Sequence, residues 1–372
     1  MKFLVDQSQL LSGLQIVQRA ISSRSTLPIL SGIYLSCEPG ILRLRATDLE
    51  IGIECTIPVQ TEEEGETVLP SRYFVEIIKK LPEIPITIEK NENNIVKIYY
   101  GTSEVALNAF MAEEFPPLPQ IEGIHTLRVN ADLLINAIKQ VTYAASNDAS
   151  RPIFTGVLIE VENDNVMKFI ATDTHRLAYR EIILANSNLD AFSVIVPSRT
   201  LDEIGKIFKQ EDTVLEISIT ENQILFKVDS TMLISRLIEG QFPNYQQVIP
   251  KNYSSRVRIL TKDLLNSAER ASLLARDEFK TRSNVIKLNI LGNNLTITSK
   301  SAEVGNIHEE IPIYLEGDAA EIAFNARYLI DVLRIVDQEE IYLDLTGSLS
   351  PGIIRPAESE HALFLVLPIR TN

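Results

Sequence analysis

Pro70-Ser71-Arg72-Tyr73-Phe74-Val75-Glu76-Ile77-Ile78-Lys79 returns twice further along the chain. The copies read Pro197-Ser198-Arg199-Thr200-Leu201-Asp202-Glu203-Ile204-Gly205-Lys206 and Asn325-Ala326-Arg327-Tyr328-Leu329-Ile330-Asp331-Val332-Leu333-Arg334. In each, an arginine is followed four residues later by an acid and three after that by a second base. Pro70 to Pro197 is 127 residues and Pro197 to Asn325 is 128. Solenoid units run only from about 20 to 50 residues, so this period is that of a whole domain.

A second threefold pattern precedes the first. Val5-Asp6-Gln7-Ser8-Gln9-Leu10-Leu11, Val129-Asn130-Ala131-Asp132-Leu133-Leu134-Ile135 and Ile259-Leu260-Thr261-Lys262-Asp263-Leu264-Leu265 each read as a strand end, a polar cap candidate and a helix. The inward stripes are Leu10, Leu14, Val17 and Ile21, then Leu134, Ile138, Val141 and Ala145, then Leu264, Ala268 and Ala271. Between the helices lie segments of period two, such as Ile41–Asp48 and Val166–Asp173. Glu38-Pro39-Gly40, Asn163-Asp164-Asn165 and Gly292-Asn293-Asn294 mark the turns. Phe115-Pro116-Pro117-Leu118-Pro119 and Phe242-Pro243-Asn244-Tyr245 read as linkers. The expectation is an α+β fold of three repeated domains, 1–123, 124–252 and 253–372, each with two helices packed on antiparallel sheets.

With 45% hydrophobic and 23% charged residues in 372, each domain can bury a core. No apolar run approaches the roughly 20 residues of a membrane span. The start, Met1-Lys2-Phe3-Leu4-Val5-Asp6, reads as a strand rather than a signal peptide. Two isolated cysteines, Cys37 and Cys55, give neither a disulfide framework nor metal spacing, so the expected compartment is the reducing cytoplasm. The net charge of −15 argues against a generally basic nucleic-acid binder, although one face of an acidic protein can still be positive.

Several segments carry a resemblance over the whole length. They are Arg24-Ser25-Thr26-Leu27-Pro28-Ile29-Leu30, Ala46-Thr47-Asp48-Leu49-Glu50, Arg151-Pro152-Ile153-Phe154-Thr155-Gly156 and Ala171-Thr172-Asp173-Thr174-His175-Arg176-Leu177-Ala178. Gly240-Gln241-Phe242-Pro243-Asn244-Tyr245 and the terminal Leu367-Pro368-Ile369-Arg370 complete the set. In order and spacing the chain resembles the bacterial DNA polymerase III beta subunit family of sliding clamps. The resemblance implies a head-to-tail homodimeric ring with helices inside around duplex DNA and sheets outside. Helix width agrees. Six helices about 10 Å across close a ring with a hole of about 9 Å, whereas twelve leave about 28 Å for a duplex roughly 20 Å wide.

Arg72, Arg199 and Arg327 stand two helical turns before Lys79, Lys206 and Arg334, on one face of each helix. Such positions suit weak phosphate attraction without base reading. The plainer alternative is an exposed helix laced by i,i+4 ion pairs, each contributing about 0.2–0.5 kcal/mol. Arg24, the group Asn147, Asp148 and Arg151, and the group Arg276, Lys280 and Arg282 follow equivalent helices in the three domains. By resemblance these loops project into the hole and touch DNA.

Asp173 and His175 invite an enzymatic reading, but no Gly-x-Ser-x-Gly or reactive cysteine accompanies them, and no catalytic residue, metal or cofactor is expected. The resemblance instead assigns a hydrophobic groove for short partner peptides. The matching positions are Phe154, Thr172, Thr174, His175, Arg176, Leu177, Pro243 and Val248, with Leu349, Pro351, Leu365, Val366, Leu367, Pro368, Ile369 and Arg370. The family often has glycine where Thr174 stands. Implied partners are duplex DNA, a second copy, the DNA polymerase III catalytic subunit, the clamp loader complex, and other replication and repair proteins carrying a clamp-binding peptide. A peptide-binding scaffold that never encircles DNA is the alternative. The dimer interface is expected between edge strands around Thr102–Leu107 and Ser299–Asn306, with Leu107, Leu273, Leu274 and Glu303 contributing.

Overall fold

The computed structural model describes residues 1–22, 27–119, 121, 123, 125–162, 165–184, 191–208, 213–275, 284–301 and 304–370. Among the described residues six α-helices alternate with antiparallel strands: α1 Gln7–Val17, α2 Ser71–Lys80, α3 Ala131–Thr142, α4 Ser198–Ile207, α5 Thr261–Leu274 and α6 Ala326–Ile335. The chain divides into two compact units, Met1–Asp132 with Glu203–Leu237, and Leu133–Asp202 with Ile238–Asn372.

The helices follow their apolar period. In α2, Phe74, Val75 and Ile78 are buried while Arg72, Glu76, Lys79 and Lys80 are exposed. Burying Phe74 and Ile78, both fully covered, stabilises by about 1.5–3 kcal/mol each. The helix stops at Leu81 (φ −71°, ψ 152°), which the following Pro82 disfavours in helical geometry. The expected stripes on α1, α3 and α5 are buried in every copy, apart from Ile21, which is half-buried. Ile21 and Ala145 lie past the helix ends. Side-chain capping is rarer than the sequence implied. Asn130 accepts from the Asp132 amide and Asn325 from the Arg327 amide, each at 3.0 Å, whereas Asp6 makes no cap bond.

Strand Ile41–Thr47 shows how period two sorts side chains. Leu42, Leu44 and Ala46 enter the core, and Arg43 and Arg45 turn to the other face, where both pair with Glu54.

In the first unit, a five-stranded sheet runs Gln60–Glu63, Lys2–Asp6, Pro85–Lys90, Ile95–Tyr100, Ser103–Asn108. An eight-stranded sheet is made where Ile51–Pro58 pairs with Thr231–Arg236. In the second unit, Arg176–Ile183 pairs with Ala362–Val366 in the same way, making a nine-stranded sheet. A four-stranded sheet there runs Gly305–Pro312, Asn294–Ser301, Val285–Leu291, Ala320–Asn325.

The two joints repeat hydrogen bond for hydrogen bond. Thr56 N–H donates to Ser230 O at 3.0 Å and Glu181 N–H to His361 O at 2.9 Å. At the other end of each joint, Arg236 N–H donates to Glu50 O and Leu367 N–H to His175 O, both at 2.9 Å.

By position in the repeat, Gly305–Pro312 corresponds to Ile51–Pro58 and Arg176–Ile183. Ser103–Asn108 corresponds to Thr231–Arg236 and Ala362–Val366. Gly305–Pro312 and Ser103–Asn108 are outer strands here, each paired on one side only among the described residues. The edge therefore lies at Gly305–Pro312. Strand Asn294–Ser301, which holds the start of the expected 299–306 segment, is paired on both sides.

Candidate partner groove and nucleic-acid lining

The segment Thr172–Arg176 folds as a tight turn held by its own side chains. Thr172 Oγ1 donates to Arg176 O at 2.7 Å and accepts from the Thr174 amide, while Asp173 Oδ1 accepts from the His175 and Arg176 amides at 2.9 and 3.0 Å. Thr47–Ile51 repeats the turn, with Thr47 and Asp48 making the same bonds. Both turns need a left-handed third residue, and neither has glycine there: Thr174 has φ 78° and Leu49 φ 77°. A β-branched residue in that region is strained by about 1–2 kcal/mol, and the entropy cost of glycine cancels part of the relief. Thr174→Gly is therefore expected to stabilise the fold by about 0.5–1 kcal/mol, read as a higher urea midpoint with an unchanged slope. A lower midpoint would show that the Thr174 side chain contributes more than its strain costs.

Arg176 anchors this turn from beneath. Its guanidinium pairs with Asp173 Oδ2 at 2.9 Å and Asp331 Oδ2 at 2.6 Å, and lies over the rings of Tyr143 and Tyr328 at 5.1 and 4.8 Å. Burial works against its charge, but the Asp331 hydrogen bond and both carboxylates outweigh that and hold its pKa above the ordinary value. Burial pushes the Tyr143 hydroxyl far up as well, and that hydroxyl has no hydrogen-bond partner among the described residues. The exposed His175 ring stacks on Tyr328 with centroids 6.0 Å apart. Both carboxylate oxygens of Asp173 are engaged by the turn and by Arg176, so Asp173 orients the loop rather than the imidazole.

Leu177 pairs with Leu365 across the joint, and both sink into an apolar cluster with Leu158, Ile170, Tyr245, Ile353 and Leu363. Around this floor Val248, Leu349 and Leu367 are 52%, 64% and 38% exposed, Pro243 and Arg370 are exposed, and Phe154, Pro351, Pro368 and Ile369 are half-buried. Two of the expected groove residues face elsewhere. Val366 alternates with Leu365 and pairs with Arg176, so both point to the face covered by α6. There they hold the Thr172–Arg176 turn and strand Ala362–Val366 against α6. Tyr143, Tyr328 and Asp331 escaped the sequence reading, in which Asp331 belonged to an ion-pair ladder.

The repeated bases are on the surface. Arg72, Arg199, Arg327, Lys79, Lys206 and Arg334 are all exposed. The i,i+4 ladder does not form on α2 or α6 among the described residues. Glu203 pairs with Lys206 at 2.7 Å and with Arg19 at 3.1 Å, and Arg334 pairs with Glu269 of α5 at 2.7 Å. Asn147, Asp148 and Arg151 form an exposed loop in which Asp148 accepts from Ser150 and Arg151, bonds that hold its carboxyl below the usual range. Asn147 is exposed beside them, and Arg151, held to Asp148 at 3.0 Å, lies 5.5 Å from the Phe154 ring. Leu273 is 68% exposed, and Leu107 and Leu274 are half-buried. Arg24, Arg276, Lys280, Arg282 and Glu303 lie outside the described residues. No helix among the described residues is long and apolar enough to cross a membrane.

A fold of repeated helix-pair and sheet units carrying exposed helix bases and an apolar joint is that of a DNA clamp. Three family models match in succession: the N-terminal domain of the DNA polymerase III beta subunit over residues 1–119, its central domain over 128–244 and its C-terminal domain over 246–370. The beta sliding clamp of Bacillus subtilis (strain 168) is 36% identical over 381 aligned positions, and that of Halalkalibacterium halodurans 35% over 383, each match covering 100% of both chains. Among solved structures, the DNA polymerase sliding clamp from Bacillus subtilis superposes with a TM-score of 0.96 at 36% identity. The DnaN sliding clamp from Pseudomonas aeruginosa bound to griselimycin does so at 0.94 and 27%, and both cover 100% of each chain. The chain belongs to the DNA polymerase III beta subunit family.

Proposed function

We propose that two copies join head to tail into a ring that encircles duplex DNA, slides without reading sequence, and tethers the DNA polymerase III catalytic subunit. The observation that carries this reading is the pair of one-sided sheets. Strand Gly305–Pro312 is the third copy of a strand that twice finds a partner within the chain, and Ser103–Asn108 is the third copy of that partner. A second molecule supplies what each lacks, and five strands joined to four would make a nine-stranded sheet like the one already present. Carrying the register of Glu54 with Met232 over to this joint sets His308 opposite Glu104 of a second copy, with the His308 amide pointing outward. Pairing covers two edges that would otherwise template aggregation, and closure in a head-to-tail dimer uses both edges of both copies.

The three clamp domains, 1–123, 124–252 and 253–372, then present six copies of the exposed helix bases toward the DNA, with the Asn147–Arg151 loop nearby. The groove floored by Leu177 and Leu365 takes short apolar peptides from the polymerase, the clamp loader complex, and other replication and repair proteins in the cytoplasm. The clamp is non-catalytic, and an ATP-driven loader opens one joint.

The lining is tested by charge reversal. Arg72→Glu, Arg199→Glu and Arg327→Glu together replace three cations by three anions per protomer, six sites per ring. The yield of loader-dependent loading onto nicked plasmid is expected to fall at least tenfold, with the sedimentation of the dimer unchanged. Normal loading would remove these arginines from the DNA-facing set.

A further inference from the structure

The first unit holds a second copy of the groove's framework, and we infer that it is a second docking site for a short partner segment carrying a large apolar side chain beside a carboxylate. This inference rests on reading the Leu177–Leu365 joint as a peptide groove. Three matched features carry it. The Thr47–Ile51 turn reproduces Thr172–Arg176 down to the left-handed third residue. Gly52 pairs with Ile234 as Leu177 pairs with Leu365. The amide of Arg236 bonds Glu50 O as that of Leu367 bonds His175 O, both at 2.9 Å.

At this copy the joint is hollow. A cavity of about 270 Å³ opens between Leu49, Gly52, Ile234 and the connector Pro116–Pro119. It lies just below the range of roughly 300–1,000 Å³ typical of sites that engulf a whole small ligand, which suits one anchoring side chain. Gly52 lets the connector close over one side of it, since a Cβ there would come within 2.5 Å of Leu118 Cδ2. Leu49, 47% exposed, offers an apolar lip. Arg236 stands where the other joint has Leu367. Its exposed guanidinium makes no hydrogen bond or ion pair among the described residues. Glu50 lines the same mouth but makes no ion pair with Arg236 among the described residues, which leaves the cation to favour an acid beside the anchor.

The test uses the intact protein and the probe Ac-Ser-Asp-Leu-Leu-Ser-NH2 with one leucine replaced by photo-leucine. Cross-linked peptides are mapped by mass spectrometry with and without excess unlabelled probe. Competable labels are expected both at the Leu177–Leu365 groove and on Leu49–Gly52 or Pro116–Pro119. Arg236→Glu should lower the second label at least tenfold and leave the first unchanged. Leu49→Asp, an exposed change, should do the same. Labels confined to the groove would overturn this inference and leave the groove reading standing. Labels at neither place would overturn both, and a second label that survives both variants would mark non-specific contact and overturn the inference.

Discussion

His308→Pro is expected to turn the dimer into a folded monomer. The repeat places the His308 amide on the outward side of strand Gly305–Pro312, two residues from Glu310, whose equivalents Thr56 and Glu181 donate across their joints. Proline there removes a donor from the joint while leaving the bonds to Asn294–Ser301 in place, and an edge strand tolerates it on its solvent side. Losing that donor leaves an acceptor across the joint unpaired, at about 2 kcal/mol. A closed head-to-tail dimer contains the joint twice, so the substitution counts twice, about 4 kcal/mol or roughly 10³-fold in the dimer dissociation constant. Sedimentation velocity at micromolar protein should show a single species near the 41.7 kDa of one chain, with unchanged far-ultraviolet circular dichroism. A variant that remains dimeric would place the joint elsewhere.

The largest stability effect is expected from Asp331→Ala. The Arg176 side chain is 11% exposed and shared between Asp173 and Asp331, at 13% and 26%. Removing Asp331 leaves a buried guanidinium with one carboxylate and two aromatic faces. Breaking such a pair from one side costs about 3 kcal/mol, because the surviving charge loses compensation without regaining water. The fall should appear as a lower urea midpoint. Asp331→Leu combined with Arg176→Met should recover part of it, since well-packed apolar replacements remove both charges together. A double variant no better than the worse single one would mean that the loss comes from packing around Tyr143 and Tyr328. For contrast, Lys206→Ala touches a half-exposed i,i+3 pair and should change stability by less than about 0.5 kcal/mol.

The helices and their copy number were legible because apolar spacing is a local signal. Phe74 and Ile78 fall on one face wherever the chain goes. Period two is less informative on its own. It requires Leu365 and Val366 to face opposite ways, but which of them meets the groove depends on the pairing of Leu177 with Leu365. Arg176 was misassigned for the same reason, since its partner Asp331 lies 155 residues away. The edge at Gly305–Pro312 follows from sheet order, a long-range property that alternation in Asn294–Ser301 and Gly305–Pro312 does not distinguish. The strained Thr174 was visible only as a residue type. Its backbone angle comes from the Thr172 and Asp173 side chains closing the turn around it.

Topological tethering is tested most directly by following the protein on DNA before and after the circle is cut. The clamp is loaded onto nicked plasmid with a purified loader and ATP, freed of unbound protein by gel filtration, and divided into two portions, one linearised by a single-cut nuclease. A ring around the duplex stays with the circle through salt that screens phosphate contacts and is lost from the linear form by sliding off its ends. Equal retention on the two forms, or equal loss from both, would contradict encirclement.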